Sequence, residues 1–381
     1  MEIENNKKRK TKKHDEVVTL PPELIEKILL LLPLKSLIRF RCVSKQWFSL
    51  ISDSHFTKSH FDLARTTNDM LLYFPPENSV ARCVDVEGSI HHDYAVQIPE
   101  TSEHCSPRVM CSCRGFILLI NCVNSTHFVV WNPTTGFHTT VSYPSALLRR
   151  DMYRPHKLWA GFGYDKSSDD YLVVTGWRDP YKTSEVKSRW EFFSVRNNSW
   201  KEIETEGFRS NYLITSNSGV FYNGAICWLA VRSDGEGGRV IVAFDLNEKN
   251  LSILSLPPVL PASCTTPVLK TLGGYLGISY RDRRTWRNEL WVLKEYKVES
   301  TWTKLNNYLP YEHYGTFIPL CLTKSNEYIG RGNCNFNMLK KFSDKGKLLE
   351  SKVIKCGRVI SMIMFEKTLL TLPRNKREDD D

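Results

Sequence analysis

The chain has 381 residues, of which 41% are hydrophobic and 25% charged, with a formal net charge of +10. That length allows two or three domains, the balance is ordinary for a globular protein, and no apolar run reaches the roughly 18 residues of a membrane helix. The 11 cysteines, odd in number and scattered, fit a reducing compartment better than a disulfide framework.

The first segment, 1–15, is basic. Asn5 to His14 read NNKKRKTKKH, without an acid. Such a run is read as a nuclear-import signal, as a nucleic-acid-binding arm, or as a solvated tail. No apolar stretch follows it to make a signal peptide. The expectation is therefore a soluble protein of the nucleus, the cytoplasm or both, with no membrane contact.

Helical patterning occupies the next segment, 16–62. Pro21 and Pro22 suit the first turn of a helix, and Glu23 complements its positive end. Leu24, Ile25, Ile28, Leu29, Leu31 and Leu32 share one broad apolar arc, with Glu23, Glu26 and Lys27 opposite. Pro33 ends that helix. Leu34, Leu37 and Ile38 share a face of a second, and Ser44 is the expected N-cap of a third. Val43 and Phe48 stand at hydrophobic-staple spacing, and Trp47, Leu50 and Ile51 make the third helix apolar on one side. Three helices in so few residues make a poor core alone. Either a partner or the rest of the chain covers them.

The order LPPELIEKILLLLPLKSLIRFRCVSKQWFSLISD resembles the F-box, especially its plant form. The resemblance rests on Leu20-Pro21, Ile28-Leu29, Leu32-Pro33, Lys35-Ser36-Leu37, the run Arg39 to Lys45, and Trp47. It implies docking onto a Skp-type adaptor, and through it onto a cullin scaffold that delivers ubiquitin. The contacts it implies are Leu20, Pro21, Ile28, Leu29, Leu32, Pro33, Leu37, Val43 and Trp47. Some of these must instead be internal core. Leu31 departs from a commonly basic position, and Ser54 from a common Pro.

From residue 63 to 372 the pattern becomes short apolar or aromatic runs broken by Asn, Asp, Gly, Ser and Pro. A strand–turn–strand unit recurs at Arg82, Phe128, Glu191, Ile241, Leu290 and Leu339. Most copies are preceded by another strand pair, such as Cys113 to Ile120 or Gly219 to Ala230. About four strands per roughly 50 residues is the spacing of a propeller blade. The fold class expected is thus α+β and multidomain: a small three-helix module, then an all-β, propeller-like domain of about six blades. The stretch Arg358 to Leu372 supplies an extra strand to close the ring onto the first blade, which would remove exposed edges. An open β-sandwich array is the alternative. CRGFILL, VVWNPTTG, FGYDKSSDDYLVV, VFYNGAICWLA and IVAFDL, in that order, resemble the plant F-box-associated domain. Gly273-Gly274 alone is similar to the kelch double glycine. Residues 373–381 form a second charged tail.

Chemistry is sparse. No P-loop, G-x-S-x-G or H-E-x-x-H occurs. His104 with Cys105, Cys111, Cys113 and Cys122 lacks paired zinc spacing and reads as free thiols. Asp165, Asp169 and Asp170 fail the EF-hand pattern and read as a hairpin turn. His91, His92 and Asp93 read as a solvated loop, and sequons at Asn124, Asn197 and Asn250 carry little weight. No catalytic, metal or cofactor site is expected. Arg281, Arg283, Arg284 and Arg287, with Trp286 among them, are the candidate substrate-recognition loop, against a plain solvated hairpin tip.

Three functions remain. The resemblance favours a non-catalytic subunit of a Skp–cullin–F-box ubiquitin ligase, holding an unknown protein substrate near the ubiquitin machinery. A nucleic-acid binder would use the basic tail on the propeller scaffold. A propeller hydrolase would assemble its site from distant blades.

Overall fold

Two prolines set the start of the fold. In the computed structural model, Pro21 (φ −54°, ψ 141°) caps α1 (Pro22–Leu30), and Pro33 (φ −58°, ψ 143°) caps α2 (Leu34–Phe40). Pro lacks the N–H that a helix start leaves unpaired, so it fits there without loss. Residues 20–64, 69–75, 80–99, 107–120, 126–148, 157–178, 188–205, 212–232, 238–258, 260, 264–305, 316–333, 337–354 and 361–373 are described. The run Asn5 to His14, His104, Cys105, Cys122, Asn124 and the segment 374–381 lie outside them. The chain divides into two compact units, 1–63 and 64–381.

The first unit has four helices, where the sequence pattern gave three. In α3 (Lys45–Ser52) the expected cap is in place: Ser44 Oγ accepts from Trp47 N–H at 3.1 Å. The additional helix is α4 (Ser54–Ala64). Asp53 starts it, its Oδ1 accepting from His55 N–H at 2.8 Å and Phe56 N–H at 3.1 Å. Phe56, Thr57, His60 and Phe61 are its buried face. The His60 ring nitrogen Nε2 lies 3.1 Å from the Leu32 carbonyl, tying α4 to the end of α1.

The second unit is a six-bladed propeller. Blades 2 to 6 span 108–142, 157–202, 212–255, 268–304 and 316–354. Each is an antiparallel meander, and blade 4 carries a fifth strand because Tyr212–Ile214 and Val220–Tyr222 both pair with Ala225–Arg232. The hairpins that recur in the sequence are the outer halves of the blades, such as His127–Trp131 with His138–Ser142. Blade 1 combines three strands from 69–97 with the late strand Met362–Glu366, antiparallel to Asp69–Tyr73. The ring therefore closes with the extra strand, and the open sandwich array is excluded. After that strand, Leu369, Leu370 and Leu372 are buried. Their backbone is held by Asn132, whose Nδ2 donates to the carbonyls of Thr368 (3.2 Å) and Leu370 (3.4 Å).

Three blades turn between their first two strands with only two residues. Arg114-Gly115, Asn223-Gly224 and Gly273-Gly274 all have positive φ, the type I′ geometry that follows strand twist. The double glycine is one version of that turn. Apolar clusters fill the wedges between blades. Between blades 3 and 4, Trp190 meets Trp159 and Trp228 edge to face, at 5.4 and 5.3 Å between centroids. Trp228 fits because Gly161 and Gly219 lie against it: a Cβ on either would fall 2.7 Å from its ring.

Charge seals the last wedge. Glu350 of blade 6 accepts from Ser89 Oγ (2.7 Å) and Ile90 N–H (2.9 Å) of blade 1. Lys352 of blade 6 pairs with Asp93 at 3.0 Å, and Tyr73 O–H donates to the same carboxylate. Burial works against that carboxylate, but these donors outweigh it and hold it below its usual range. Asp93 is thus a strut of the ring and not part of a loop with His91 and His92.

Candidate functional site

On α1 the broad apolar arc is divided. Leu20, Leu24, Ile28 and Leu31, at one edge of the arc, are 52%, 45%, 50% and 80% exposed. Ile25 and Leu32 are half-buried, and Leu29 at the other edge is buried. The helix thus has an inward apolar face and an outward one. An outward row of leucine and isoleucine is costly in water and marks a contact surface. Ile38, Val43 and Phe48 are also exposed.

This geometry sorts the residues that sequence placed at the adaptor contact. Leu20, Pro21, Ile28, Pro33 and Val43 are exposed, and Leu32 and Trp47 half-buried. Leu29 and Leu37 are buried, so they hold the module together and offer no surface. Trp47 packs edge to face on Phe40 at 5.2 Å. Leu24 and Leu31 belong to the outward row and were not among those contacts, although the helical period already joined them to Ile28. Phe48 is exposed beneath the Arg41 guanidinium, 5.0 Å from the ring centroid.

The second surface lies on the propeller. In a meander the turns between strands one and two, and three and four, lie at one end of the blade. The middle turns and the links to the next blade lie at the other. The first rim is tight, with two-residue turns and with Asp165 anchoring Ser167, Ser168 and, across blades, Lys249 at 2.7 Å. Burial raises the Asp165 carboxyl, yet these bonds bring it down to about 2. Asp165 and Asp170 are the ends of a hairpin turn, as the sequence pattern has it. The opposite rim carries the links between blades, of which 98–99, 143–148, 203–205 and 264–267 are among the described residues.

The arginine-rich hairpin 282–287 projects on that second rim, as the middle turn of blade 5. Asp282 shapes it, accepting from Arg284 N–H at 2.9 Å and Thr285 Oγ1 at 3.1 Å. These bonds, the backbone one foremost, lower its carboxyl. Arg283, Arg284, Trp286 and Arg287 are exposed. Arg281 is not: it is buried, with its guanidinium 4.8 Å from the Trp286 ring centre and its Nε donating to the Trp286 carbonyl. It is a brace for the loop and leaves the candidate recognition set.

Elsewhere, Cys111 and Cys113 are buried strand residues whose thiols burial pushes well up. Among the described residues no cluster of His, Cys, Asp and Glu could hold a metal ion.

Residues 50–341 match the F-box associated beta propeller domain, and residues 18–59 match the F-box domain. The chain belongs to the F-box-associated propeller family. It is a plant-type F-box protein, similar to an F-box/kelch-repeat protein of Arabidopsis thaliana (28% identity, 75% of this chain and 78% of the other). It is likewise similar to F-box protein CPR1 of the same plant (28% identity, 76% and 73%). The F-box is the helical unit with the outward leucine row, and the F-box-associated domain is the closed propeller.

Proposed function

We propose that this F-box protein is the substrate-recognition subunit of a Skp–cullin–F-box ubiquitin ligase, acting by binding and not by catalysis. The observation that carries the reading is the outward row Leu20, Leu24, Ile28 and Leu31 on a helix that belongs to an F-box. The row is the surface offered to a Skp-type adaptor, which brings the cullin. The target protein binds the propeller rim that carries the hairpin 282–287. Loops on a rigid scaffold set specificity in this way, and proximity to the ubiquitin machinery supplies the rate.

The test is co-purification of the full chain with Skp-type adaptors, comparing wild type with a Leu24→Asp, Ile28→Asp double variant. Both positions are exposed, so the fold survives while the row becomes charged. A stoichiometric complex that the variant loses, with its helical circular dichroism unchanged, is expected. A folded wild-type chain that captures none of the adaptors would overturn the reading.

A further inference from the structure

Residues of five blades, all but blade 3 among the described residues, line a central cavity of about 340 Å³. Its walls include Val109 of blade 2, Val220 of blade 4, Leu320 of blade 6 and Ile363 of the closing strand. Among the described lining residues one side chain is charged, Lys270, on the inner strand Val268–Leu272 of blade 5. Among the described residues no carboxylate lines the cavity with it. Lys270 makes no ion pair or hydrogen bond among the described residues. Its charged neighbour is Arg331 of blade 6, a second cation, and its other titratable neighbour is the buried thiol of Cys321. Burial, aided by Arg331, brings the Lys270 ammonium down to about 8, while the Cys321 thiol rises to about 12 and stays neutral at pH 7.

Lys270 is half-buried on this wall, and a partly desolvated ammonium without a counter-ion among the described residues is costly. Nothing in the ring's packing needs it. Leu269 and Leu272 of the same strand fill the wedges on either side of blade 5, and a methionine at 270 would fill the same length without the charge. A cavity of this size, with apolar walls on one part and Lys270, Ser216, Ser218 and Thr271 as polar groups on another, has the form of a small-molecule site.

We propose that the central cavity binds a small amphipathic monocarboxylate, whose apolar body lies against the blade walls and whose carboxylate pairs with Lys270. One cation on the wall matches one negative charge, and the apolar lining matches a hydrocarbon or aromatic body better than it matches inorganic phosphate. The site lies within the propeller unit and uses none of the residues assigned to the adaptor contact.

The experiment uses the full chain with three probes: decanoate, the neutral 1-decanol and inorganic phosphate, each followed by calorimetric titration and by thermal shift. Wild type is expected to bind decanoate at least about tenfold more tightly than decanol, a difference of about 1.4 kcal/mol. The preference should fade as pH rises through and above about 8, when Lys270 loses its proton. In Lys270→Met, checked for fold by circular dichroism, decanoate and decanol should bind alike, while Lys270→Arg keeps the preference. Should Lys270→Met fail to fold, Lys270→Gln serves the same comparison. Equal binding of decanoate and decanol to wild type, a preference that survives loss of the charge, displacement of decanoate by phosphate, or no binding of decanoate at millimolar concentration would each overturn the proposal.

Discussion

On α1, Leu24, Ile28 and Leu31 point a row of apolar side chains at solvent, while in the propeller Trp131, Trp177, Trp190 and Trp228 are buried to 2% or less. Both units are rich in large hydrophobics, yet one closes on itself and the other does not. The propeller has enough strands to cover both faces of every blade, and its last strand removes the free edge. Four short helices have too little volume to hide two apolar faces of α1. The module therefore keeps an outward apolar row, while the propeller keeps its large aromatics inside.

The sharpest way to break this comparison is to open the propeller core. Trp228→Ala, in the wedge between blades 3 and 4, should cost about 3–5 kcal/mol in a denaturant titration followed by tryptophan fluorescence, and leave adaptor capture at low temperature intact. Next in size is a pair of variants one residue apart on α1. Leu29→Ala removes core and should cost about 2–5 kcal/mol, lowering the module's melting temperature. Ile28→Ala should change stability by under about 1 kcal/mol yet weaken adaptor binding by about tenfold or more. If the two variants behaved alike, the division of the helix into inward and outward faces would be wrong.

The sequence carried part of this division and not the rest. Strand alternation and the turn residues made each outer hairpin legible, because both signals are local. The F-box was legible in Leu20-Pro21 and the run after it. The split of the α1 arc was not, since a helical period says which residues share a side but not which half the neighbouring helices cover. That choice is made by contacts such as His60 with Leu32, 28 residues apart. The fourth helix was missed even though Asp53 caps it and Phe56, Thr57, His60 and Phe61 repeat at helical spacing. Its polar residues and the Ser at 54 diluted that pattern. Arg281 looked like a free cation because the stacking on Trp286 requires a turn whose shape Asp282 sets. Lys270 carried no signal at all, as the cavity exists only once strands of five blades, distant in sequence, meet.

A smaller effect tests how the tight rim is held. The Asp165 carboxyl sits at about 2 in the fold, below the ordinary value near 4 for a free aspartate. Its pairing with Lys249 and the two serines therefore stabilises the propeller fully above about pH 4, and that stability is lost as pH falls through 2. Asp165→Asn should lower the melting temperature at pH 7 and flatten its fall between pH 4 and pH 2. A variant that melts in parallel with wild type across that range would show that the carboxylate contributes nothing to the rim.

The smallest effect separates the two rims. The contact of Arg281 with Trp286 is a cation–π pair at a partly exposed site, worth about 0.5–1 kcal/mol. Trp286→Ala should therefore shift the propeller's melting by a degree or two at most, since Asp282 still shapes the turn through Arg284 N–H and Thr285. Adaptor capture should not change, because the hairpin belongs to the other unit. Substrate capture should fall, because Trp286 is the large exposed aromatic of that hairpin. Proximity labelling in cells, comparing Trp286→Ala with wild type, reads this directly. Loss of a subset of labelled proteins at unchanged adaptor labelling assigns recognition to the rim of the hairpin 282–287. An unchanged set would move recognition away from this hairpin while leaving the docking face of the module untouched.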